Sequence, residues 1–535
     1  MDLSSTQQRR TAARFWLITF VLLMLYYLSL ALSRRIDGDE GYFLYAARLV
    51  RAGSIPYRDF FFPQLPLIPY LWSGLLAPWP ITWIGGRILA ALIATLAALI
   101  FLVLARQQTR HRGLLAVVLL AYLSSDFGLE WAVVIKTHLP AMTLLLLGWL
   151  VACVGLSRLQ APHPRPRWRF ALYGASGFCA GLALDSRLMV LPLLPLMLGA
   201  IVLGHRQARA SWAGAALAWL IGLLPSPIVL AFFWHAAPYP FVYDNWFYHA
   251  LGEPLSTSER WTRNLAILAD RLLLNPLWLG ALLLLAWERL RRRRPLMPVD
   301  WFYRLAFLVM VLVSFIPRRS YPQYYCLATP WLLLAALPAA QSWWARNGSP
   351  LWRRSRTLAL TLAAVGIALL AVQPRLALDR HWPMEKIPAW SWVEQTFFKP
   401  DEINDVTRED LNSGLGMVRW VARAVNDLAP PGARLLTWWP GYAVEARTPL
   451  ISGLENHFGQ LAVYYDQRRL TPALKLDGYQ YLDRTIAQRQ AGIAVVGLWV
   501  GMHDSQGRLH ETQALQRAGY RLKAVIGEAA IYTAP

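Results

Sequence analysis

Asp37-Gly-Asp-Glu-Gly-Tyr42 follows directly on an apolar run, Phe15–Leu32, and the two together decide how the chain is read. The run is long enough for a bilayer, since a spanning helix needs about 20 predominantly apolar residues. Arg9, Arg10 and Arg14 precede it as basic residues precede a secretory leader, but no small-x-small cleavage site follows before the acids. A retained helix is therefore expected. Three carboxylates then fall within four residues at a membrane face. Carboxylates cost free energy when desolvated, so a cluster held there points to proton or cation chemistry. A solvated loop that merely follows a helix is the plainer alternative.

Working outward, apolar runs of this kind recur, and a chain of 535 residues that is 56% hydrophobic is not an ordinary soluble protein. The expected fold is a polytopic α-helical membrane protein with about eleven crossings, near 15–33, 83–104, 113–124, 139–156, 170–184, 189–203, 213–235, 266–287, 304–316, 324–340 and 357–373. A net charge of +22 raises the question of nucleic acid, but its distribution answers it. The segments assigned to the cytoplasm hold 22 Lys/Arg against three acids (Asp2, Glu288, Asp300). The intervening outer loops, 34–82, 124–138, 185–188, 236–265 and 317–323, hold 11 bases against 10 acids. This is the positive-inside pattern; it places the N-terminus inside, makes the number of crossings odd and needs no nucleic-acid partner. Arg291–Arg294 is expected at the anionic inner leaflet. Cys153, Cys179 and Cys326 lie in apolar spans and read as small core residues.

In the first outer loop, 34–82, Tyr42, Tyr45, Ala46 and Leu49 recur at helical spacing, and Gly53 can end that helix. Three prolines and an aromatic run exclude a regular helix over Ile55–Pro66, and short interfacial helices are expected, with Trp72 and Trp79 at the interface. The loop Ser124–His138 carries Asp126, Glu130, Lys136 and His138, readable as a helix cap and interfacial charges or as site residues. Asp185 and Arg187 flank a tight turn, where a mutual ion pair is the simplest account; Arg187 is also a candidate substrate-binding residue. Ile316-Pro-Arg-Arg-Ser-Tyr-Pro-Gln-Tyr-Tyr325 is a short outer loop with two adjacent arginines and no acid. Arginine forks bind phosphate bidentately and tyrosine hydroxyls add donors; snorkelling arginines beside an aromatic belt are the alternative.

The apolar spans end near residue 373, and 374–535 has the mixed composition of an extracytoplasmic α/β domain. Helices are expected over Leu411–Leu428 and Leu474–Gln490, strands over Arg434–Trp438 and Ile493–Val500, and a hairpin from Tyr520–Ile526 and Ala529–Thr533. No nucleotide fingerprint occurs in it. Trp438-Trp-Pro-Gly-Tyr442 reads as a strand end packed with aromatics, and Glu455 and His457 could face the membrane site.

A site on the outer face has no nucleotide sugar within reach, so an enzyme there must draw its activated group from the lipid phase, and a polyprenyl-phosphate sugar is the obvious carrier. Transfer needs a carboxylate to take the acceptor's proton and cationic donors to hold the departing phosphate. Asp39 could supply the first; Arg318 and Arg319, with Tyr321 or Tyr325 and with Lys136 or His138, could supply the second. Direct displacement would invert the anomeric centre.

Asp39-Glu-Gly-Tyr42, Ala46, Gly53 and the Pro-Leu-x-x-Tyr stretch Pro66–Tyr70 resemble the first outer loop of C-type glycosyltransferases, most closely the protein mannosyltransferase and lipid A aminoarabinose transferase branches. Arg319–Tyr325, followed by Pro330, is similar to the phosphate-side segment of those enzymes. The resemblance implies Asp39 as catalytic base, Glu40 as its paired acid and Asp126 or Glu130 as a second loop acid. It also implies a polyprenyl-phosphate sugar donor, an extracytoplasmic acceptor (lipid, glycan or protein) and a place in the cell membrane. The chain departs from the pattern at Gln64-Leu-Pro66, where the aminoarabinose branch has Lys-Pro-Pro, so neither donor nor acceptor identity carries over. Trp438-Trp439 is followed by Pro440, unlike the Trp-Trp-Asp of oligosaccharyltransferases, which disfavours en bloc transfer to asparagine. No cofactor is expected and no ligand set demands a metal, although a carboxylate pair could hold one. The rival readings are a transporter or lipid flippase, which predicts internal repeats or mid-membrane charges that the sequence lacks, and a silent glycan-binding assembly protein.

Overall fold

The computed structural model describes residues 5–347, 414–459, 478–497 and 505–535, apart from 35, 110, 161–165, 252–255, 275, 292–296, 318–320 and 528. The expected crossing at 357–373, and Arg318 and Arg319, lie outside the described residues.

Helix α1 (Ser5–Ser33) leads into the acid stretch, which opens α2 (Glu40–Arg51). Gly53, at φ 94°, takes the left-handed conformation that stops it, as its position suggested. The aromatic run 55–66 is irregular, and α3 (Leu67–Leu75) is a short helix after it. Thr82 then caps α4 (Trp83–Gln108), its hydroxyl accepting from Gly85 N. Next come α5 (Arg112–Leu123), a π-helical turn at Asp126–Trp131, α6 (His138–Ser157), α7 (Pro166–Ser186) and α8 (Leu193–Gln207).

The expected span 213–235 falls on the apolar helix Ala213–Ala236, in which a turn at Leu224 ahead of Pro225 separates α9 (Ala213–Leu223) from α10 (Pro225–Ala236). Proline fits the first turn of a helix, so α10 starts there. The pieces α11 (Pro238–Val242) and α12 (Tyr248–Leu251) follow. Over the expected span 266–287 the described residues are helical on both sides of residue 275, as α13 (Thr257–Leu274) and α14 (Pro276–Arg291). Then come α15 (Pro298–Val313), α16 (Pro322–Tyr325) and α17 (Thr329–Asn347).

Among the described residues five helices are long and apolar enough to cross a membrane: Arg10–Leu32, Trp83–Gln108, His138–Ser157, Leu188–Gln207 and Ala213–Ala236. Arg10–Leu32 is mostly uncovered by protein, as a lipid-facing helix would be, whereas α4 and α6 are central. Helices α7 and α9 meet through glycine: a Cβ on Gly177 would run into Trp219 O, and one on Gly222 into Gly174 O. Such backbone approach is the usual way apolar helices gain contact where the hydrophobic effect no longer drives them together.

After residue 413, α18 (Leu415–Leu428) leads into β1 (Leu435–Thr437), followed by α19 (Gly478–Ala487), β2 (Ile493–Val496), α20 (Ser505–Arg517), β3 (Arg521–Ile526) and β4 (Ala529–Thr533). The sheet runs β1-β2-β4-β3, with β1–β2 parallel and the other pairs antiparallel. The expected hairpin is β3–β4; α20 was not expected.

This sheet unit is joined to the bundle at the acid stretch. Helix α2 packs on the turn Pro440–Ala443, and a Cβ on Gly41 would come within 2.6 Å of Gly441 Cα. Arg48 donates to Ala443 O at 2.6 Å, Trp83 N to Glu445 Oε1 at 2.9 Å and Leu450 N to the Tyr45 hydroxyl at 3.3 Å.

Candidate active site

The acid stretch is a tight turn whose three carboxylates have separate partners. Glu40 lies deepest, with no exposed side-chain surface. Its Oε1 accepts from Arg87 at 2.6 Å and from Asp37 N at 2.7 Å, and its Oε2 from Ile135 N at 3.1 Å. Burial raises its carboxyl above the ordinary value despite the pull of Arg87. Both oxygens are occupied, so Glu40 ties together α2, α4 and the 124–137 loop. Sequence reasoning paired Glu40 with Asp39 as the second catalytic acid; the geometry instead pairs Asp39 with Asp37.

Lys136 lies between those two, its Nζ 2.7 Å from Asp37 Oδ1 and 2.8 Å from Asp39 Oδ2. Asp37 Oδ1 also accepts from Asp39 N at 2.9 Å. Burial works against ionisation of both acids. At Asp37 the Lys136 ammonium and these hydrogen bonds outweigh burial and hold the carboxyl below its ordinary value. At Asp39 burial and the neighbouring Asp37 charge outweigh Lys136, and the carboxyl lies above it. Burial also opposes the Lys136 charge, but two carboxylates override it, and the ammonium is held more firmly than usual. Asp39 keeps 25% of its side-chain surface against 9% for Asp37. Asp39 is thus the more basic and the more accessible of the pair.

Arg187 does not form the expected ion pair with Asp185. Asp185 turns to the Ser226 hydroxyl, which donates to it at 2.6 Å. Arg187 is 5% exposed, donates to Thr137 Oγ1 at 2.7 Å and lies 5.1 Å from the centre of the Tyr324 ring. Among the described residues no carboxylate forms an ion pair with it, and its Nε has no acceptor. It is near enough to Asp39 for its charge to act on that carboxyl. A buried guanidinium left without an anion is costly, so an anionic ligand fits here.

His138 stacks with Tyr324 at 6.3 Å between ring centres, and neither ring nitrogen has a partner among the described residues. Tyr321 meets Tyr324 edge-on at 5.7 Å, whereas Tyr325 packs on Phe315. Asp126 belongs to a buried chain in which the Trp278 indole donates to Thr329 Oγ1, which donates to Asp126 Oδ1. The structure therefore brings Asp39, Lys136, His138, Arg187 and Tyr321 around one place, with Glu40 behind it, while Asp126 accepts from Thr329 and Tyr325 lies on Phe315.

Three residues of the site were not singled out for it. Tyr324 lay inside the Arg319–Tyr325 stretch, and its spacing of three from Tyr321 was the available signal. Trp439 donates its indole N–H to Gly38 O at 2.7 Å, between the two aspartates, and its only signal was the aromatic cluster after β1. Asp244 accepts from Phe62 N at 2.8 Å and steadies the 55–66 run; burial holds its carboxyl well above the ordinary range. Among the described residues no group of three or more His, Cys, Asp or Glu could hold a metal ion.

No protein-family model and no curated protein sequence matches the chain. Among solved structures, ArnT from Cupriavidus metallidurans in the apo state aligns with 97% of this chain and 98% of its own, at TM-score 0.62 and 17% identity. The same protein bound to undecaprenyl phosphate aligns over the same shares at TM-score 0.61 and 14% identity. At such identity the likeness is one of fold, over nearly the whole chain.

Proposed function

We propose that this chain, which has the fold of the C-type glycosyltransferases, is an integral-membrane enzyme that moves one sugar from a polyprenyl-phosphate donor to a hydroxyl of an extracytoplasmic acceptor. The observation that carries this reading is the buried Arg187, which has no ion-pair partner among the described residues, near a carboxylate pair of which Asp39 keeps 25% of its side-chain surface. The donor phosphate lies against Arg187, with Tyr324 and His138 completing its surroundings. That the aligned ArnT structure holds undecaprenyl phosphate supports a lipid-phosphate donor for this fold. Arg318 and Arg319 remain candidates for the same phosphate.

Asp39 is the base. Its Oδ2 is held by Lys136, while Oδ1 has no hydrogen bond among the described residues and is left to receive a proton. The acceptor O–H gives that proton to Asp39, its oxygen bonds to the anomeric carbon, and the carbon–oxygen bond to phosphate breaks with its electron pair going to the phosphate. Arg187 stabilises the charge as it develops. Attack and departure on opposite faces invert the anomeric centre. A carboxyl raised toward working pH is a better base than an ordinary one.

The test is transfer from radiolabelled undecaprenyl-phosphate sugars by the full-length chain in detergent. Asp39→Asn is expected to lose about 10²–10⁴-fold in transfer, the contribution of a general base, while binding undecaprenyl phosphate as before. Arg187→Ala is expected to weaken undecaprenyl phosphate binding by about 10-fold or more, the weight of a charge-assisted contact. Full transfer by Asp39→Asn, or movement of the lipid across vesicles without bond formation, would overturn the assignment.

A further inference from the structure

Asn456-His457-Phe458 belongs to the stretch after β1, yet it packs on Tyr42 of the acid stretch. The His457 ring has no exposed surface. It stands edge-on to Tyr42 at 5.8 Å between ring centres and lies against Phe458 at 4.1 Å. Asn456 donates to Phe61 O at 3.3 Å, which fixes the segment to the aromatic run of the first long connection. Neither ring nitrogen of His457 has a hydrogen-bond partner among the described residues. Buried polar atoms are nearly always paired, so two bare nitrogens on one buried ring ask for a ligand.

The position of the ring says which ligand. Tyr42, on which the ring stands, lies three residues past Asp39, and Trp439 of the same sheet unit donates its indole N–H to Gly38 O, between the two aspartates. His457 therefore stands against the first turns of the helix that the acid stretch opens. Burial pushes its pKa down to about 3, so the ring is neutral at working pH, with one N–H and one bare nitrogen. A hydroxyl, which both donates and accepts, is the complement of such a ring. A phosphate or carboxylate at the reacting end would gain no charge from it, and the Lys136 ammonium nearby is already shared by two aspartates.

We infer that His457 binds the acceptor, hydrogen-bonding a hydroxyl at its uncharged reacting end and setting that end against Asp39. This rests on the transferase reading and adds the acceptor's chemistry to it. It also explains why the sheet unit docks on the acid stretch: it supplies a wall of the acceptor subsite.

The experiment uses the full-length chain in detergent, a radiolabelled undecaprenyl-phosphate sugar and, as acceptor, a membrane glycolipid extract with and without phosphatase treatment. His457→Phe keeps the ring and removes both polar atoms. It is expected to raise the half-saturating extract concentration at least 10-fold, with undecaprenyl phosphate binding and thermal midpoint unchanged. His457→Gln, which keeps a donor and an acceptor, recovers most of the loss, and phosphatase treatment leaves acceptor capacity as it was. Unchanged half-saturation in His457→Phe overturns the inference while leaving the transferase reading intact. So does an equal loss of lipid binding, which marks a packing role. Loss of acceptor capacity on phosphatase treatment overturns the hydroxyl assignment. No transfer by the unsubstituted chain overturns the transferase reading itself.

Discussion

Asp37 and Asp39 are two residues apart and share one ammonium, yet their environments push their carboxyls in opposite directions. The difference follows from which one collects the extra hydrogen bonds and which one keeps solvent contact. A base whose carboxyl is raised loses activity as pH falls through that raised value, so the acid limb of the kcat profile should stand above the ordinary carboxylate range. Lys136 pulls the Asp39 carboxyl down, so Lys136→Met is expected to move the acid limb to higher pH. A limb that stays in place, measured as kcat against pH at saturating donor, would mean that Asp39 is not the titrating base. Asp39 and Lys136 were legible in the sequence because a carboxylate cluster and a lone lysine are conspicuous among apolar loops. Arg187 was legible only as a charge. Its expected partner Asp185 was the nearest acid along the chain, but a helix end and a turn aim the two side chains apart, and Ser226 from another helix takes the acid. Sequence proximity says nothing of such direction.

At the scale of elements, hydropathy and helix punctuation carry most of the bundle. The stop of α2 at Gly53, the irregular 55–66 run and the β3–β4 hairpin could be read because each depends on local chemistry. The turn at Leu224 ahead of Pro225 was passed over, since an apolar window averages across a proline that begins a new helix. Helix α20 was missed because its polar sequence carries little apolar periodicity. The contact between α2 and the 439–443 turn could not be seen at all, because it joins residues about 400 positions apart. It relies on Gly41, where a Cβ would meet Gly441 Cα at 2.6 Å and the Trp439 ring at 2.9 Å. Backbone cannot yield as a side-chain tip can, so Gly41→Ala is expected to cost about 1–3 kcal/mol. It should also depress transfer by displacing Gly38 from Trp439. Gly74→Ala, where the added carbon meets nothing within 4 Å, is the control and should be tolerated. Thermal unfolding in detergent measures both, and equal midpoints would show that the junction is looser than its geometry.

Taken whole, the molecule sets a membrane bundle and a terminal sheet unit against one turn of three carboxylates. The bundle brings Lys136, Arg187 and Tyr324 to that turn, and the sheet unit brings Trp439 and His457. Fold class was legible from composition and charge alternation, because the bilayer restricts spanning segments to a few forms. The joint between the two parts was not, because it arises only when both are folded. On the transferase reading a sugar passes between Arg187 and Asp39. The most direct measurement is a density map of the Asp39→Asn chain with an undecaprenyl-phosphate sugar bound. Phosphate oxygens are expected within hydrogen-bond distance of the Arg187 guanidinium, with the anomeric carbon between that phosphate and residue 39. A phosphate bound away from Arg187, or a sugar turned away from residue 39, would contradict it.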